Sequence, residues 1–358
     1  MLYITYYNIN LTIGIKKKIM AQCRVFQKVL GKTYYTMYAG QMMYLLQEEQ
    51  IVDKEFASTQ KMCNEVLLQW IGKYDIDQVY IRYDLSDIWF IKFLKALKDR
   101  SIKCVLEFPT FPYDGEGWGR RPIEDNYYRE QIHQYIDCCT TYSNYNTVFE
   151  IPCITLVNGV NIEEQPPKKY RKPDGSIILA AVATMSKWHG YERVIQGMYN
   201  YYSNGGQRNI IFNVVGDGDQ IQYYKKIVDE YQLCEHVAFH GQLSGTKLDD
   251  IYDNSDIAIG SLGFYKINLY SNAPIKLREY CARGIPFVYG YDDISFSENN
   301  YFAYRISNDA TLVDIKKIIE FYETVYDGRD FIKDMREYTL RYLTWDKILQ
   351  PVIDYLKG

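Results

Sequence analysis

The constraint that weighs most on this chain is a pattern that runs twice. Short apolar runs alternate with helix-period segments, a polar stretch interrupts them, and the alternation restarts. In the first half, Leu2–Tyr7 reads as a strand and residues 15–30 as a helix with Ile15, Ile19, Cys23, Phe26 and Leu30 on one stripe. Val79–Arg82 and Cys104–Phe108 read as strands around a helix at Ile88–Lys98, and Val148–Ile151 and Cys153–Leu156 as short strands after it. Strands separated by helices imply βαβ units and a parallel sheet.

The interruption is Glu163–Ser176, EEQPPKKYRKPDGS, whose prolines, glycine and polar residues are linker chemistry. Beyond it, Ile177–Ala183 is a nearly continuous apolar strand, as expected when both faces are buried. Asn209–Val215, Val237–His240, Asp256–Ile259 and Phe287–Tyr289 follow as strands, with helices at 190–203, 219–232, 246–253 and 274–282 and a mostly helical tail from about 311. The chain therefore reads as α/β with two doubly wound domains, 1–162 and 177–340, joined by a linker at 163–176, with a last helical segment at 341–358. A length of 358 residues agrees with two domains at roughly 100–200 residues each.

Composition excludes several classes. With 47% hydrophobic and 24% charged residues, the chain can bury real cores. A net charge of −4 supplies no global field for non-specific nucleic-acid binding. The longest apolar stretch, Ile177–Met185, is too short for a bilayer span of about 20 residues. Lys16, Lys17 and Lys18 follow the first apolar run, the reverse of a secretory signal, so a cytoplasmic location is expected. The eight cysteines contain no C-x-x-C pair and read as reduced thiols, and no metal is expected. Tyrosine, at 37 copies, suits polar ring-shaped ligands such as sugars.

Ligands of open α/β sheets sit beyond the carboxyl ends of strands, near helix N-termini, so the strand-to-helix loops carry the candidates. After the first strand of the second half, Lys187, His189 and, one turn on, Arg193 gather cations beside backbone N–H groups, which suits a diphosphate; plain solvation and ion pairing are the alternative. Gly216-Asp217-Gly218 lacks the third glycine of a dinucleotide fingerprint, because position 221 is isoleucine. Asp217 and Asp219 also form a D-x-D, read as a solvated turn in preference to a metal site. Ser271–Tyr280 is the most informative segment. Ser271 or Asn272 is expected to cap a helix with Pro274 in its first turn, aiming the N–H groups of Ile275 and Lys276 at an anion. Glu279 can take two ribose hydroxyls or pair with Arg283.

In the first half, the loop from Glu107 to Glu116 offers Asp114 and Glu116 as acceptor contacts or a base, or as solvated acids. His133, His236 and His240 read as structural. The basic face of helix 15–32 either is simply solvated or docks peripherally on an anionic membrane surface.

These motifs resemble glycosyltransferases of the GT-B fold, especially the family 4 group that builds bacterial surface polysaccharides. The similarity is carried over about 154–293 by Val157-Asn158-Gly159-Val160-Asn161, Lys187-Trp188-His189-Gly190-Tyr191-Glu192-Arg193, Val215-Gly216-Asp217-Gly218, Phe239-His240-Gly241 and the run from Pro274 to Pro286. The first half matches more loosely, through Gly14 with its following helix and through Pro109–Glu116. The resemblance implies two Rossmann-like domains facing a central cleft, with a nucleotide-diphospho-sugar held mainly on the second and a glycan or lipid-linked acceptor on the first. It implies Glu279 on the ribose, Lys187, His189 and Arg193 on the donor side, and backbone help from Gly216, Gly218, Ile275 and Lys276. It places Gly241, Gln242 and Leu243 near the base, with Glu279, Lys187, Asp114 and Glu116 as the catalytic set. The last helix would cross back onto the first domain.

One position departs from that group. Its E-x7-E pair has Ser271 here in the first place, where the donor sugar is usually held. The implied activity is transfer of a sugar to a saccharide acceptor in surface polysaccharide synthesis, retaining and without a metal or other cofactor. The alternatives are an inactive GT-B-like glycan-binding subunit, which Ser271 favours, and a sugar-nucleotide epimerase or hydrolase.

Overall fold

The protein is described here by a computed structural model covering residues 1–113 and 121–358. It divides into two compact units, Met1–Val157 with Trp345–Gly358, and Asn158–Thr344.

The first unit opens with β1 (Leu2–Ile4), α1 (Ile13–Leu30), β2 (Tyr34–Ala39), β3 (Met42–Gln47) and β4 (Gln50–Phe56). It continues with α2 (Gln60–Lys73), β5 (Gln78–Arg82), α3 (Ile88–Asp99), β6 (Lys103–Phe108), α4 (Arg121–Tyr128), β7 (Cys139–Thr141), β8 (Thr147–Val148) and β9 (Ile151–Thr155). Among the described residues these strands form one sheet in the order β4-β3-β2-β1-β5-β6-β7-β9-β8. The pairs of β1, β2, β5, β6, β7 and β9 are parallel, while β3, β4 and β8 run antiparallel to their neighbours.

Local chemistry sets several boundaries. Thr59 caps α2 by accepting from the Met62 N–H at 3.3 Å, and Asp87 caps α3 by accepting from the Phe90 N–H at 2.7 Å. The first strand stops at Ile4 rather than Tyr7. There the Thr5 N–H turns to Thr36 Oγ1 at 2.8 Å and Thr5 Oγ1 to the Thr36 carbonyl at 2.7 Å, so side chains replace the ladder. α1 packs its expected stripe inward: Ile19, Cys23 and Phe26 are buried against the sheet. The stripe is therefore not available for insertion into a membrane, and Lys28 pairs with Asp346 at 2.7 Å.

The second unit contains β10 (Ile177–Val182), α5 (Glu192–Ser203), β11 (Ile210–Val215), α6 (Ile221–Glu230), β12 (Val237–Gly241), α7 (Thr246–Asp253) and β13 (Ile257–Ile259). It ends with α8 (Ile275–Arg283), β14 (Phe287–Tyr289), β15 (Ala303–Arg305), α9 (Ile315–Val325) and α10 (Phe331–Tyr338). Its sheet is parallel throughout, in the order β12-β11-β10-β13-β14-β15. Counted within the unit, that is 3-2-1-4-5-6, the dinucleotide-binding order, with its switch point between β10 and β13. The continuous apolar character of β10 follows from this central place, with Ile177, Leu179, Ala180 and Ala181 all fully buried.

The segment 163–176, expected as a linker, is built into this unit. The Lys168 N–H donates to the Arg283 carbonyl at 2.7 Å, its ammonium bonds the Ser255 carbonyl, and Arg171 pairs with Asp256 at 2.9 Å. Proline content marked an irregular backbone, not a detached one. The terminal α11 (Trp345–Ile348) and α12 (Gln350–Lys357) belong to the first unit, where Trp345, Leu349, Val352, Ile353 and Leu356 share a core with α1. All eight cysteines are free thiols, and no helix among the described residues is long and apolar enough to cross a membrane.

Candidate active site

The switch point of the second unit brings together the loops after β10 and β13. The Leu262 N–H donates to the His189 carbonyl at 2.8 Å and the Gly263 N–H to the Trp188 carbonyl at 3.1 Å. Gly190 makes this possible: its φ is 64°, and a Cβ would lie 2.7 Å from the Gly263 nitrogen. On the other side, the loop after β11 meets the same β10 loop. The Met185 N–H donates to the Asp217 carbonyl at 2.8 Å, and a Cβ on Gly216 would collide with the Ala183 carbonyl oxygen. The glycines expected to serve the donor thus act first by letting strand-end backbones touch. Asp217 folds onto its own loop, accepting from the Gly218 N–H at 2.8 Å, as a turn does. Among the described residues no group of three potential ligands could hold a metal ion.

Helix α8 follows β13. Pro274 itself occupies its N-cap position, φ −62° and ψ 144°, and no side chain caps the helix. The expected cap by Ser271 or Asn272 does not form: the Asn272 side chain accepts from the Ala273 N–H at 2.8 Å instead. The first N–H groups of α8, Ile275 and Lys276 among them, are left for a ligand or water.

The decisive side chain is Lys276. Its Nζ is buried and has no hydrogen-bond partner among the described residues. Burial lowers its pKa to about 8, against the opposing pull of the Glu279 carboxylate. An ammonium removed from water without a partner is costly, so the position is poised for an anion. Beside it lies His189, 7% exposed. Its Nδ1 lies 3.1 Å from the Ser186 nitrogen and 3.3 Å from the Ser186 carbonyl oxygen, so it accepts from the one or donates to the other according to the tautomer. Burial, and then the charge of Lys276, bring the His189 pKa to about 3, so the ring is a neutral N–H donor at physiological pH. Lys187 is exposed and has no salt bridge among the described residues, and Ile275 is 44% exposed.

Glu279 stands one turn beyond Lys276 and is half-buried. The Arg283 guanidinium is directed to Asp249 at 2.7 Å and Gln165 at 2.9 Å, and lies 4.6 Å over the Tyr252 ring. Gly241 and Gln242 are exposed at the end of β12, with Leu243 half-buried behind them.

Arg193 requires a correction. Its side chain is 2% exposed, and its Nε donates to the Thr311 carbonyl at 2.6 Å while its terminal nitrogens bond the carbonyls of Leu262 and Ser307. It does not reach a diphosphate; it ties α5 to the β13 loop and to the segment after β15. Charge and position one turn into a helix are the same in the sequence for a clamp and for a ligand, and only burial separates them. Asp114 and Glu116 lie outside the described residues.

The first unit holds a buried charged cluster that the sequence alone does not reveal. Its switch point lies between β1 and β5, with α1 on one face and α2 on the other. Glu107, at the end of β6 and fully buried, pairs with Arg82 at the end of β5 and lies 3.7 Å from Lys18 of α1. Tyr80 donates to Glu107 at 2.7 Å. Burial alone would raise the Glu107 pKa; Lys18 and Arg82 overcome it and hold the carboxyl below its usual range. Burial lowers Lys18 to about 7, although Glu107 opposes that shift. A lysine on the buried edge of an otherwise basic helix, and an arginine closing an apolar strand, were the available signals.

Comparison with known proteins bears on the fold. Residues 162–294 match the family Glycosyl transferases group 1. No curated protein matches the sequence. Among solved structures, a glycosyltransferase from Rickettsia africae is similar with a TM-score of 0.69 at 14% identity, over 99% of this chain and 97% of that one. HepE of Anabaena, in complex with UDP, is similar at 0.63 and 11% identity over 99% of both chains. The lipopolysaccharide outer core galactosyltransferase WaaB is similar at 0.61 and 11% identity, over 100% of this chain and 99% of that one. The chain has the GT-B fold of glycosyltransferases, and its residues 162–294 carry the group 1 glycosyl transferase domain.

Proposed function

We propose that the protein moves a sugar from a nucleotide-diphospho-sugar to a glycan or lipid-linked saccharide, without a metal, as family 4-like enzymes of surface polysaccharide synthesis do. The observation that carries this reading is the buried, unpartnered Lys276 ammonium at the uncapped start of α8. Breaking the anomeric C–O bond builds positive charge on the sugar and negative charge on the departing diphosphate. Lys276 and the α8 N–H groups stabilise that negative charge, the neutral His189 ring beside them adds an N–H in its Nε2-protonated tautomer, and Lys187 adds an exposed cation. Glu279 is assigned to the ribose hydroxyls. Gly241, Gln242 and Leu243 are assigned to the base.

HepE is seen with UDP, with UDP and glucose, and with UDP-glucose, which supports a uridine diphosphate donor as the first to try. The acceptor is assigned to the first unit, where Lys18, Arg82 and Glu107 line the switch point. Attack from the face of the departing diphosphate, with a phosphate oxygen taking the acceptor proton, would retain the anomeric configuration.

The test is a thermal-shift panel of UDP, GDP and their sugars, each with magnesium or with EDTA, on wild type and Glu279→Ala. A ligand that binds only the native state raises the melting temperature. The reading expects a shift for one nucleotide class that persists in EDTA and is reduced in the variant. A shift abolished by EDTA would overturn the metal-free assignment, and no shift with any nucleotide would favour a glycan-binding subunit.

A further inference from the structure

A second concave site of the second unit lies outside the nucleotide cradle. It has a volume of about 840 Å³ and is bounded by Tyr270, by the segment after β14, and by β15 with the residues that follow it. That size falls in the range of roughly 300–1,000 Å³ occupied by small-molecule sites. It opens at the carboxyl end of the edge strand β15, the same end of the sheet as the start of α8.

Its walls are fixed. The Asp292 N–H donates to the Tyr270 carbonyl at 2.8 Å, and the Asn272 N–H to the Asp292 carbonyl at 3.0 Å, strapping the approach to α8 against the loop after β14. The Asn308 side chain bridges the far wall, donating to the Leu269 carbonyl at 3.0 Å and accepting from the Tyr265 N–H at 3.0 Å. The Ile306 N–H donates to the Tyr289 carbonyl at 2.8 Å. A ligand entering here would not have to order the backbone, which lowers the cost of binding.

The lining has two kinds of group. Tyr270 is 59% exposed on this pinned backbone and has no ring contact among the described residues, while Tyr289 and Tyr304 add aromatic wall. On the rim, the exposed Arg305 bonds Asp292 and lies 3.8 Å from Glu298. One guanidinium against two carboxylates leaves the rim net negative, which disfavours a phosphate or other anion. A neutral polyol suits it: the carboxylates accept hydroxyl hydrogens, the guanidinium donates to hydroxyl oxygens, and a tyrosine face covers C–H surface.

We propose that this cavity is a saccharide subsite that holds a neutral pyranose unit, separate from the nucleotide cradle. Its place as a glycan-holding subsite beside the transfer site rests on the function proposed above; its capacity to bind sugar does not. Ser271, whose backbone bridges to Asp292, links the subsite to α8 at the position where the family 4 pattern has its first glutamate.

The experiment is saturation-transfer-difference NMR on the full chain with methyl α- and β-pyranosides of glucose, galactose, mannose and N-acetylglucosamine. It is run on wild type, Tyr270→Ala and Asp292→Asn, with a parallel thermal-shift titration of UDP and GDP. The expected result is transfer to at least one pyranoside with UDP or GDP present, weakened roughly tenfold in either variant, while the nucleotide shift is unchanged. Absence of transfer to every pyranoside, or transfer that both variants leave intact, would overturn the subsite. Sugar binding lost in the variants when neither nucleotide shifts the protein would uphold the subsite and count against the transferase reading alone.

Discussion

Lys276 and His189 show how burial, with a smaller contribution from a neighbouring charge, shifts the protonation of adjacent groups. The Lys276 pKa is lowered in the fold to about 8, so from about pH 8 to the unfolded value near 10.5 the unfolded chain binds more protons than the native one. Stability of the ligand-free protein should therefore rise through that window, while affinity for a diphosphate, which needs the ammonium, should fall. Urea denaturation and nucleotide titration between pH 7 and pH 10 read the two trends, and parallel trends would contradict the assignment. For His189 the depressed value of about 3 against 6.5 means stability is complete above pH 6.5 and declines as the pH falls toward 3. His189→Gln should flatten that acid limb, checked by melting temperature against pH.

The same residues show what could be read before the fold was known. The segment around Lys276 and Glu279 stood out because a proline precedes a helix after a strand, and Lys187 because it follows β10, but their donor roles came from the resemblance, and the burial of the Lys276 ammonium could not be read from the sequence. Arg193 was misread because sequence does not reveal that three carbonyls converge on it. Lys18 and Glu107 were passed over because their pairing joins α1 to β6, 89 positions apart.

Among the elements, the parallel strands were the clearest, since β10, β11 and β14 are apolar runs of strand length between turn signals. The β2–β3–β4 meander was not. Its two-residue turns use Gly40-Gln41, with φ 57° and 61°, and Glu48-Glu49, with φ 48° and 66°. The second pair carries none of the asparagine or glycine that advertises a hairpin. β4 is exposed at every position except the half-buried Asp53, so no alternation marks it either. At this scale the structure predicts that Gly216→Ala, which drives a methyl group into the Ala183 carbonyl, will separate the β10 and β11 loops. The expected loss is on the order of 1–3 kcal/mol in chemical denaturation, together with weakened nucleotide binding. Arg278→Met should cost more, roughly 3–5 kcal/mol, because Asp293 would be left as a buried unpaired charge.

For the molecule as a whole, the doubled α/β pattern sufficed to give two sheets, but not the ownership of their ends. The boundary lies at Val157–Asn158 and not beyond residue 162, and the proline-rich segment belongs to the second unit. The C-terminal helices complete the core of the first unit across nearly the full length of the chain. Removing residues 345–358 should therefore lower the melting transition of the first unit and leave that of the second near its original temperature, as differential scanning calorimetry can resolve. Loss of the second transition instead would place those helices wrongly.

The most direct test of the donor site is a calorimetric titration of UDP and GDP, and of the parent nucleosides, into wild type and Lys276→Met. The account predicts that one diphosphate binds more tightly than its nucleoside and that the substitution removes most of this advantage, on the order of tenfold or more. Equal affinity of wild type and Lys276→Met for that diphosphate would contradict the claim that the buried ammonium at the start of α8 is the anion site.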